Sequence, residues 1–325
     1  MRKLLSIVIP RYKETEKEIF PLLSSIQGQA GIDFSDIEVI IANDGKEETI
    51  PLNEEYLAWF GFGIKQITCE ANRGCGPARQ AGFDIANGDY VMCCDADDIL
   101  HNVGVLGAIM QELLKNVPDF LNTPWLEEFK DRNGQYRYIT HENDSTWMHG
   151  KIYRRHFLIE HGIRFPDFLR VQEDSYFNSL VSAFSQKNIY LPITSYVWKF
   201  NPESTTRRNN GVYTYETFPD FIYSCTLAYK KIPEGLLEDR VLHFISYNYF
   251  YLHQIQWQEE GHIEYLKKSE ETFAKYITPF WGYWGNALPQ TIAEAYNQER
   301  MKNFNGCIEK ETIWEWLQRL GLDGR

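Results

Sequence analysis

The chain has 325 residues, of which 43% are hydrophobic and 24% are charged, and its formal net charge at pH 7 is −12. This composition is ordinary for a folded protein, and the length suits one large α/β domain or a domain of about 200 residues with a smaller one. The negative charge disfavours nonspecific binding to nucleic acid or to an anionic membrane surface.

The sequence lacks the usual signals for membrane insertion and secretion. No apolar run approaches the roughly 18 residues that a bilayer span requires, and the start, Met1–Ser6, has too short an apolar stretch for a secretory signal. The six cysteines form no Cys-x-x-Cys pair, which is typical of free thiols in a reducing compartment. We therefore predict a cytoplasmic protein with no transmembrane segment.

Short apolar runs alternate with amphipathic stretches in the first part of the chain. Strands are predicted at 4–9, 37–42, 63–68 and 90–94, and helices at about 16–29, 52–60, 77–86 and 103–115. This alternation predicts an α/β fold with a mostly parallel sheet and helices on both faces. Residues 119–130 and 135–141 are predicted to form an antiparallel pair around Asn133-Gly134, a hairpin signal.

The fourth predicted strand ends at a cluster of carboxylates. Asp95, Asp97 and Asp98 directly follow the apolar run Tyr90–Cys94. Asp95 and Asp97 can turn their oxygens toward one point, which suits a hard divalent cation that in turn holds phosphate oxygens. The alternatives are a solvated turn or, for Asp98, the N-cap of the next helix.

The carboxyl ends of parallel strands lie at one edge of a sheet. Pro10–Tyr12, Asn43–Asp44, the loop 72–79 and Asp95–Asp97 are therefore predicted to line a nucleotide-sized crevice there. The first strand is followed by Pro10-Arg11-Tyr12-Lys13 instead of Gly-x-Gly-x-x-Gly, which argues against a dinucleotide dehydrogenase. Further on, Glu173 and Asp174 are predicted at a helix N-terminus, where the alternative role is a cap stabilised by the helix dipole.

The ordered set of these motifs resembles a family 2 glycosyltransferase of the GT-A fold, over about residues 3–210. The matching pieces are Pro10 and Tyr12, Asp44-Gly45, Asn72-x-Gly74 through Ala78-Arg79 and Gly82, Gly88-Asp89-Tyr90, Asp95-Ala96-Asp97-Asp98, Gly150-Lys151-Ile152-Tyr153-Arg154, Gly162-Ile163-x-Phe165-Pro166, and Glu173-Asp174. The departures from the usual pattern are Lys13, Asn43 and Lys46.

The resemblance implies a role for each candidate residue. Asp44 would hold the base or ribose of a nucleotide-sugar, with Arg79 near the nucleotide; the other implied nucleotide contacts are Pro10, Tyr12, Glu14 and Asn72. Asp97, with Asp95, would bind Mn²⁺ or Mg²⁺ at the diphosphate. His149 is either a metal or phosphate ligand or an ordinary polar-loop histidine.

Two further roles follow from the same resemblance. Asp174 would be the general base that accepts the proton of the attacking hydroxyl, and Glu173 is the competing assignment. Arg207, in a loop that closes over the diphosphate in similar enzymes, is a candidate phosphate clamp.

The resemblance ends near residue 210 and divides the chain into a predicted catalytic domain, 1–210, and a region at 211–325. That second region is predicted to be helical and aromatic-rich, with a role in acceptor binding or assembly, and a homo-oligomer is a separate expectation for the whole protein. Within it, Thr278–Gly285 is predicted to be an acceptor-binding loop, because it is rich in glycine and aromatic residues for a helix.

The predicted function is a metal-dependent, inverting and non-processive glycosyltransferase. It would move a sugar from a nucleotide-sugar, UDP by family habit, to the hydroxyl of a glycan, a lipid-linked molecule or another acceptor. Processive synthases carry a Gln-x-x-Arg-Trp motif and membrane spans, which this sequence lacks. The alternatives are a sugar-nucleotide pyrophosphorylase, whose Gly-rich loop is missing, and an inactive nucleotide-sugar or glycan-binding protein.

Overall fold

A computed structural model of the chain describes residues 3–207, 212–303, 306–308 and 310–322. It divides into two compact units, Met1–Pro202 and Glu203–Arg325. This division lies slightly before the boundary at 210 that the sequence predicts. Among the described residues, no helix is long and apolar enough to span a bilayer.

The first unit is built on a seven-stranded sheet. Its strands are β1 (Lys3–Arg11), β2 (Ile37–Asn43), β3 (Gly63–Thr68), β4 (Gly88–Cys93), β6 (Phe120–Asn122), β9 (Lys151–Arg154) and β10 (Asn188–Tyr190), and β5 (Ile99–Leu100) belongs to a second sheet. The spatial order of the seven is β10-β6-β9-β4-β1-β2-β3, and all neighbours run parallel except those of β9. The predicted mostly parallel α/β sheet is confirmed.

The central strands are covered on both faces. Leu5, Ile7, Val8 and Ile9 of β1 have no exposed surface. Because successive side chains of a strand point to opposite faces, this burial requires packed residues on each side of the sheet. The carboxyl ends of β1, β2 and β4 therefore form one rigid edge from which loop residues project.

Among the described residues, six α-helices accompany the strands of the first unit. They are α1 (Glu16–Gln27), α2 (Glu54–Leu57), α3 (Cys75–Ile85), α4 (Val105–Asn116), α5 (Arg155–Glu160) and α6 (Glu173–Phe184). The helix predicted over 52–60 is much shorter in the structure. The backbone N–H and C=O of Leu52 bond the side chain of Gln66, so this residue is tied to β3, and the helix begins only after Asn53.

A four-stranded sheet completes the first unit, and its strands besides β5 are β7 (Trp125–Lys130), β8 (Tyr136–His141) and β11 (Tyr196–Trp198). Their spatial order is β5-β11-β7-β8. The predicted hairpin is confirmed, since β7 and β8 pair antiparallel and Gly134 takes a positive φ of 75° in the turn. The single strand predicted over 119–130 is wrong, because the chain leaves the large sheet at Pro124, which has no N–H to continue a ladder.

The second unit is helical, as predicted. Its helices are α7 (Val212–Tyr229), α8 (Glu238–Leu252), α9 (Ile263–Ile277), α10 (Trp281–Asn286), α11 (Pro289–Asn303) and α12 (Ile313–Arg319). The loop predicted at Thr278–Gly285 is wrong: a 3₁₀ turn, Thr278–Phe280, leads directly into α10. Pro279 suits the first turn of a helix, and Trp281 and Trp284, three residues apart, share one buried side.

Candidate active site

Asp44 holds the loop that leads into α3 against the end of β2. Its two carboxylate oxygens accept hydrogen bonds from the backbone N–H groups of Arg73 (2.9 Å) and Gly74 (2.8 Å). Gly74 has a φ of 97°, which glycine adopts far more readily than other residues. The observed role of Asp44 is thus to position this loop, and its contact with a nucleotide stays a prediction.

The segment that follows β1 lies beside Asp44. The backbone N–H of Asp44 donates to the carbonyl of Arg11 (2.7 Å), and the N–H of Tyr12 donates to Glu14 Oε2 (2.8 Å). The hydroxyl of Thr49 donates to the carbonyl of Tyr12. Tyr12, Glu14 and Asp44, three of the predicted nucleotide residues, therefore lie at one edge of the sheet.

Pro10 and Asn72 belong to the same edge. Pro10 pairs in register with Ala42 near the end of β2. At Gly45, where φ is 96°, an added Cβ would lie 2.8 Å from the backbone N of Asn72. A larger residue at position 45 would therefore push the loop carrying Asn72 away from the crevice.

Arg79 joins two carboxylates that lie far apart in the sequence. Its Nη2 donates to Asp95 Oδ1 (2.8 Å) and its Nη1 donates to Glu173 Oε1 (2.7 Å). Burial disfavours the charge of Arg79, but Asp95 and Glu173 hold its pKa well above the ordinary value. Gly76 leaves room for Glu173, since an added Cβ would lie 2.8 Å from its Cγ. The structure thus places Arg79 between acidic side chains, and its contact with the nucleotide stays a prediction.

A histidine from a distant part of the chain meets the carboxylates after β4. One ligand atom each of Asp95, Asp98 and His149 lies within 4.8 Å of the others. Asp97 is not in this group, and its carboxylate accepts a hydrogen bond from Asn201 Nδ2 (2.8 Å). The sequence therefore predicted two of these three residues as metal ligands and gave Asp98 a different role.

Asp98 does not cap a helix, so that alternative is wrong. It is fully buried, and its carboxylate accepts hydrogen bonds from the hydroxyl of Tyr196 (2.5 Å) and the backbone N–H of Lys199 (2.8 Å). The same hydroxyl accepts a bond from the backbone N–H of Asp95 (2.9 Å). Burial, with Asp95 and Asp97 nearby, raises the pKa of Asp98 well above its ordinary value. Asp98 therefore orients Tyr196, which holds Asp95.

His149 is a buried residue and not the polar-loop histidine that the sequence left open. Its ring stacks on Tyr196, with centroids 4.8 Å apart, and meets the ring of Trp125 edge-on at the same distance. Burial lowers the pKa of His149 to about 4, although Asp95 opposes this shift. The imidazole is therefore neutral at pH 7, which is the form that binds metal ions.

The group of Asp95, Asp98 and His149 fits a divalent cation such as Mn²⁺ or Mg²⁺. Carboxylate oxygens are the ligands that these ions prefer, and a neutral imidazole adds a nitrogen ligand that transition metals accept. The side chain of Asp95 is 30% exposed, so it opens toward solvent, whereas Asp98 has no exposed surface. The group is thus reachable from solvent through Asp95.

Glu173 and Asp174 begin helix α6, as the sequence predicts. The preceding residue, Gln172, has a φ of 59°, an uncommon value for a residue other than glycine and one that is often found at functional sites. Burial raises the pKa of Asp174 to about 7, with a further contribution from the charge of Glu173. Burial also raises the pKa of Glu173, although Arg79 opposes it. A carboxyl with a pKa near 7 can accept a proton at physiological pH.

Some contacts of this site carried no recognisable sequence signal, although Lys151 itself belongs to a motif of the family resemblance. Lys151 is fully buried in β9, and its Nζ forms an ion pair with Asp144 (2.7 Å). Tyr196 looks like an ordinary strand residue in the sequence.

Arg207 belongs to the second unit, where its backbone N–H donates to the carbonyl of Ser204 (3.1 Å). Its role as a phosphate clamp stays a prediction.

A mostly parallel α/β sheet with carboxylates, an arginine and a histidine at one edge is an arrangement that many nucleotide-binding enzymes share. The family described as Glycosyl transferase family 2 matches residues 6–181, more than half of the chain. The chain belongs to this family and is a glycosyltransferase of the GT-A fold, which confirms the resemblance found in the sequence.

The chain is also similar to individual proteins. The chain is 27% identical over 225 residues to the uncharacterised glycosyltransferase EpsJ of Bacillus subtilis, a match that covers 63% of this chain and 64% of EpsJ. TarS 1–349 of Staphylococcus aureus, solved in complex with UDP-GlcNAc, has the same fold with a TM-score of 0.60, 18% identity and coverage of 98% and 92%. The mannosyltransferase PcManGT of Pyrobaculum calidifontis, solved with GDP-Man and Mn²⁺, has a TM-score of 0.51, 12% identity and coverage of 99% and 85%.

Proposed function

We propose that this glycosyltransferase moves a sugar from a UDP-sugar to a hydroxyl of a glycan, lipid-linked or other acceptor. The transfer would require Mn²⁺ or Mg²⁺, invert the configuration of the sugar and release the product after each transfer. The observation that carries the proposal is the buried Arg79, which links Asp95 to the pair Glu173-Asp174. A residue suited to metal binding and a residue suited to proton acceptance are thereby held in one rigid arrangement.

On the donor side, the residues at the edge of the sheet would bind the nucleotide. Asp44, with Pro10, Tyr12, Glu14 and Asn72, is proposed to surround the base and ribose. Asp95 and His149 of the observed group would hold the cation together with Asp97, which lies outside that group; Asp98, which accepts two hydrogen bonds, would support the site. When bound, the cation supplies positive charge that offsets the charge of the departing diphosphate.

On the acceptor side, Asp174 would act as the general base. The acceptor oxygen forms a bond with the anomeric carbon, while the bond from that carbon to the diphosphate breaks and the nucleoside diphosphate leaves with the electron pair. Asp174 accepts the hydroxyl proton. A single displacement of this kind inverts the configuration. Glu173 would position the start of α6 through Arg79, since its carboxylate is occupied by that contact.

Relatives support the finer parts of the proposal. TarS was solved with UDP-GlcNAc, which favours a UDP donor here, and PcManGT was solved with GDP-Man and Mn²⁺, which favours a divalent cation. The second unit is proposed to contribute to acceptor binding or to assembly, and it contains a cavity of about 560 Å³ lined in part by Tyr249, Tyr296 and Trp314. Arg207 is kept as a candidate phosphate clamp.

The direct experiment is a screen of nucleotide-sugars for hydrolysis by the purified protein with Mn²⁺, Mg²⁺ or EDTA. We expect release of UDP from at least one UDP-sugar with either cation and a loss of this release in EDTA. Equal rates in EDTA would contradict the metal requirement. Binding of UDP-sugars without turnover of any donor would instead favour the alternative of an inactive binding protein.

A further inference from the structure

A group of aromatic side chains lines one side of the candidate site. We call the set of Trp125, Trp147, His149, Tyr196 and Trp198 the aromatic wall. Trp147 lies 5.3 Å from Trp198 between ring centroids, and 5.9 Å from His149 with nearly parallel rings. Trp198 is 5.7 Å from His149 and 6.2 Å from Trp125. The wall is therefore one continuous set of packed rings.

The five rings differ in their exposure. Trp125, His149 and Tyr196 are buried, whereas Trp147 and Trp198 are only partly buried and pack on the edge of the hydrophobic core. Two indole rings at the rim leave apolar surface in contact with water beside polar catalytic groups. Partly exposed aromatic surface of this kind is typical of ligand sites.

The wall is joined directly to the helix that carries the proposed base. Asn178 lies one helical turn after Asp174, so the two side chains project from the same face of α6. The amide of Asn178 donates to the backbone carbonyls of Thr146 (2.7 Å) and Trp147 (3.3 Å). These bonds fix the segment that carries Trp147 against the face of α6 from which Asp174 projects.

The other end of the wall meets the candidate cation site. His149 is one of the three residues whose ligand atoms gather there, and the Tyr196 hydroxyl bonds Asp95 and Asp98. A molecule resting on Trp147 would thus lie beside both the proposed base and the donor diphosphate. This is the place that an acceptor must occupy if the proposed function holds.

We infer that Trp147, with Trp198, forms the acceptor subsite and that it selects a pyranose ring. One face of a pyranose carries mainly C–H groups, which pack on the flat face of an indole while the hydroxyls at the ring edge stay free for hydrogen bonds. An acyclic polyol has no such rigid face to offer. The inference rests on the proposed function and adds the acceptor class to it.

The test uses the full chain, the donor found in the nucleotide-sugar screen, and two classes of acceptor probe. The first class is the methyl pyranosides of glucose, galactose and N-acetylglucosamine, and the second is glycerol and ribitol. We expect transfer to at least one pyranoside. Trp147→Ala should raise its KM about fivefold to tenfold with a smaller change in kcat, as loss of one stacking contact implies. Trp147→Phe, which keeps a ring, should be intermediate.

Matched controls separate acceptor binding from a loss of structure. The Kd of UDP with Mn²⁺, measured by calorimetry, should stay within about twofold in Trp147→Phe, because an aromatic ring still packs beside His149. Trp59→Ala removes a tryptophan that is 71% exposed and lies in a different part of the unit, and its kinetics should match the wild type.

Three outcomes would overturn the inference. If transfer to glycerol or ribitol were as efficient as transfer to every pyranoside, the selection of a pyranose ring would be contradicted. An unchanged acceptor KM in both Trp147 variants would contradict the role of Trp147 in acceptor binding. In either case donor hydrolysis would still stand, and with it the proposed function. A protein that turns over no nucleotide-sugar would contradict the proposed function and remove this inference with it.

Discussion

Arg79 donates a hydrogen bond of 2.7 Å to Glu173, a residue 94 positions away in the sequence and adjacent to the proposed base. The same guanidinium donates to Asp95 (2.8 Å). The buried ion pairs connect the end of β4 to the start of α6, so the two halves of the candidate site keep one geometry. Removal of these ion pairs should lower the stability of the protein as well as its activity.

The first prediction concerns this bridge. Arg79→Met removes the guanidinium that pairs with both Glu173 and Asp95. The buried carboxylate of Glu173 then has lost this ion pair. Breaking a buried pair in this way costs about 3–5 kcal/mol of unfolding free energy. Urea unfolding followed by circular dichroism would measure the change. Arg73→Met, at an exposed arginine 3.8 Å from Asp167, is the control and should change the free energy by less than about 0.5 kcal/mol.

The double variant Arg79→Met with Glu173→Gln gives a second check. It removes the charge of Glu173 together with its partner, so we expect it to recover part of the lost free energy. Equal stability of Arg79→Met and the wild type would show that the bridge contributes little to the fold.

The second prediction concerns the cation. UDP should raise the Tm of the wild type only when Mn²⁺ or Mg²⁺ is present, because a ligand that binds the native state stabilises it by mass action. Asp97→Asn should abolish this metal-dependent shift and leave the Tm without ligand near the wild-type value, since Asn can retain the contact with Asn201. Thermal unfolding with UDP in Mn²⁺ and in EDTA measures both effects.

The variant Asp98→Ala tests whether Asp98 stabilises the structure of the site. It leaves the hydroxyl of Tyr196 and the N–H of Lys199 without their acceptor, so the Tm without ligand should fall. If Asp97→Asn kept the full metal-dependent shift, Asp97 would be excluded as a ligand, and Asp98 of the observed group would take its place.

The site illustrates which features a sequence can reveal. The positions of Asp95 after β4 and of Asp174 at the start of α6 were predictable from local pattern, whereas their roles stay predictions. The Arg79–Glu173 contact and the place of Asp98 were not predictable, because they depend on which distant segments fold together. The sequence around His149 also gave no indication that the rings of Trp125 and Tyr196 would pack against it.

The fold shows the same division. The alternation of strands and helices predicts the parallel sheet, since each buried strand needs its own covering layer. The break at Pro124 and the helix at Trp281–Asn286 were missed, although a proline marks each of them: Pro124 has no N–H to continue a ladder, and Pro279 suits the first turn of a helix. In the second case, the packing of Trp284 provides burial that composition alone does not indicate.

The third prediction uses the pH dependence of stability. The pKa of Asp174 is raised to about 7, so between about pH 4 and 7 the folded protein keeps a proton that the unfolded chain has lost. The contribution of this group to stability is therefore present at low pH and is lost as the pH rises through 7. Asp174→Asn cannot ionise, so its Tm relative to the wild type should rise between pH 5 and pH 8.

A control variant and one contradicting result complete the test of this pH dependence. Asp167→Asn changes an exposed carboxylate whose side chain is 72% accessible, and its Tm difference from the wild type should not vary with pH in this way. If the Asp174→Asn difference were equally constant, the raised pKa of Asp174 would be contradicted.

The most direct measurement of the central claim is the transfer rate of Asp174→Asn at pH 8, compared with the wild type and with Glu173→Gln. We predict that kcat falls about 10²-fold or more in Asp174→Asn, since Asn cannot accept a proton, while the Kd of UDP stays near the wild-type value. Glu173→Gln should lose less activity, or lose it together with stability. In the wild type, kcat/KM should rise with pH up to about 7, and the product should have the anomeric configuration opposite to that of the donor. Transfer by Asp174→Asn at the wild-type rate would contradict its role as the general base.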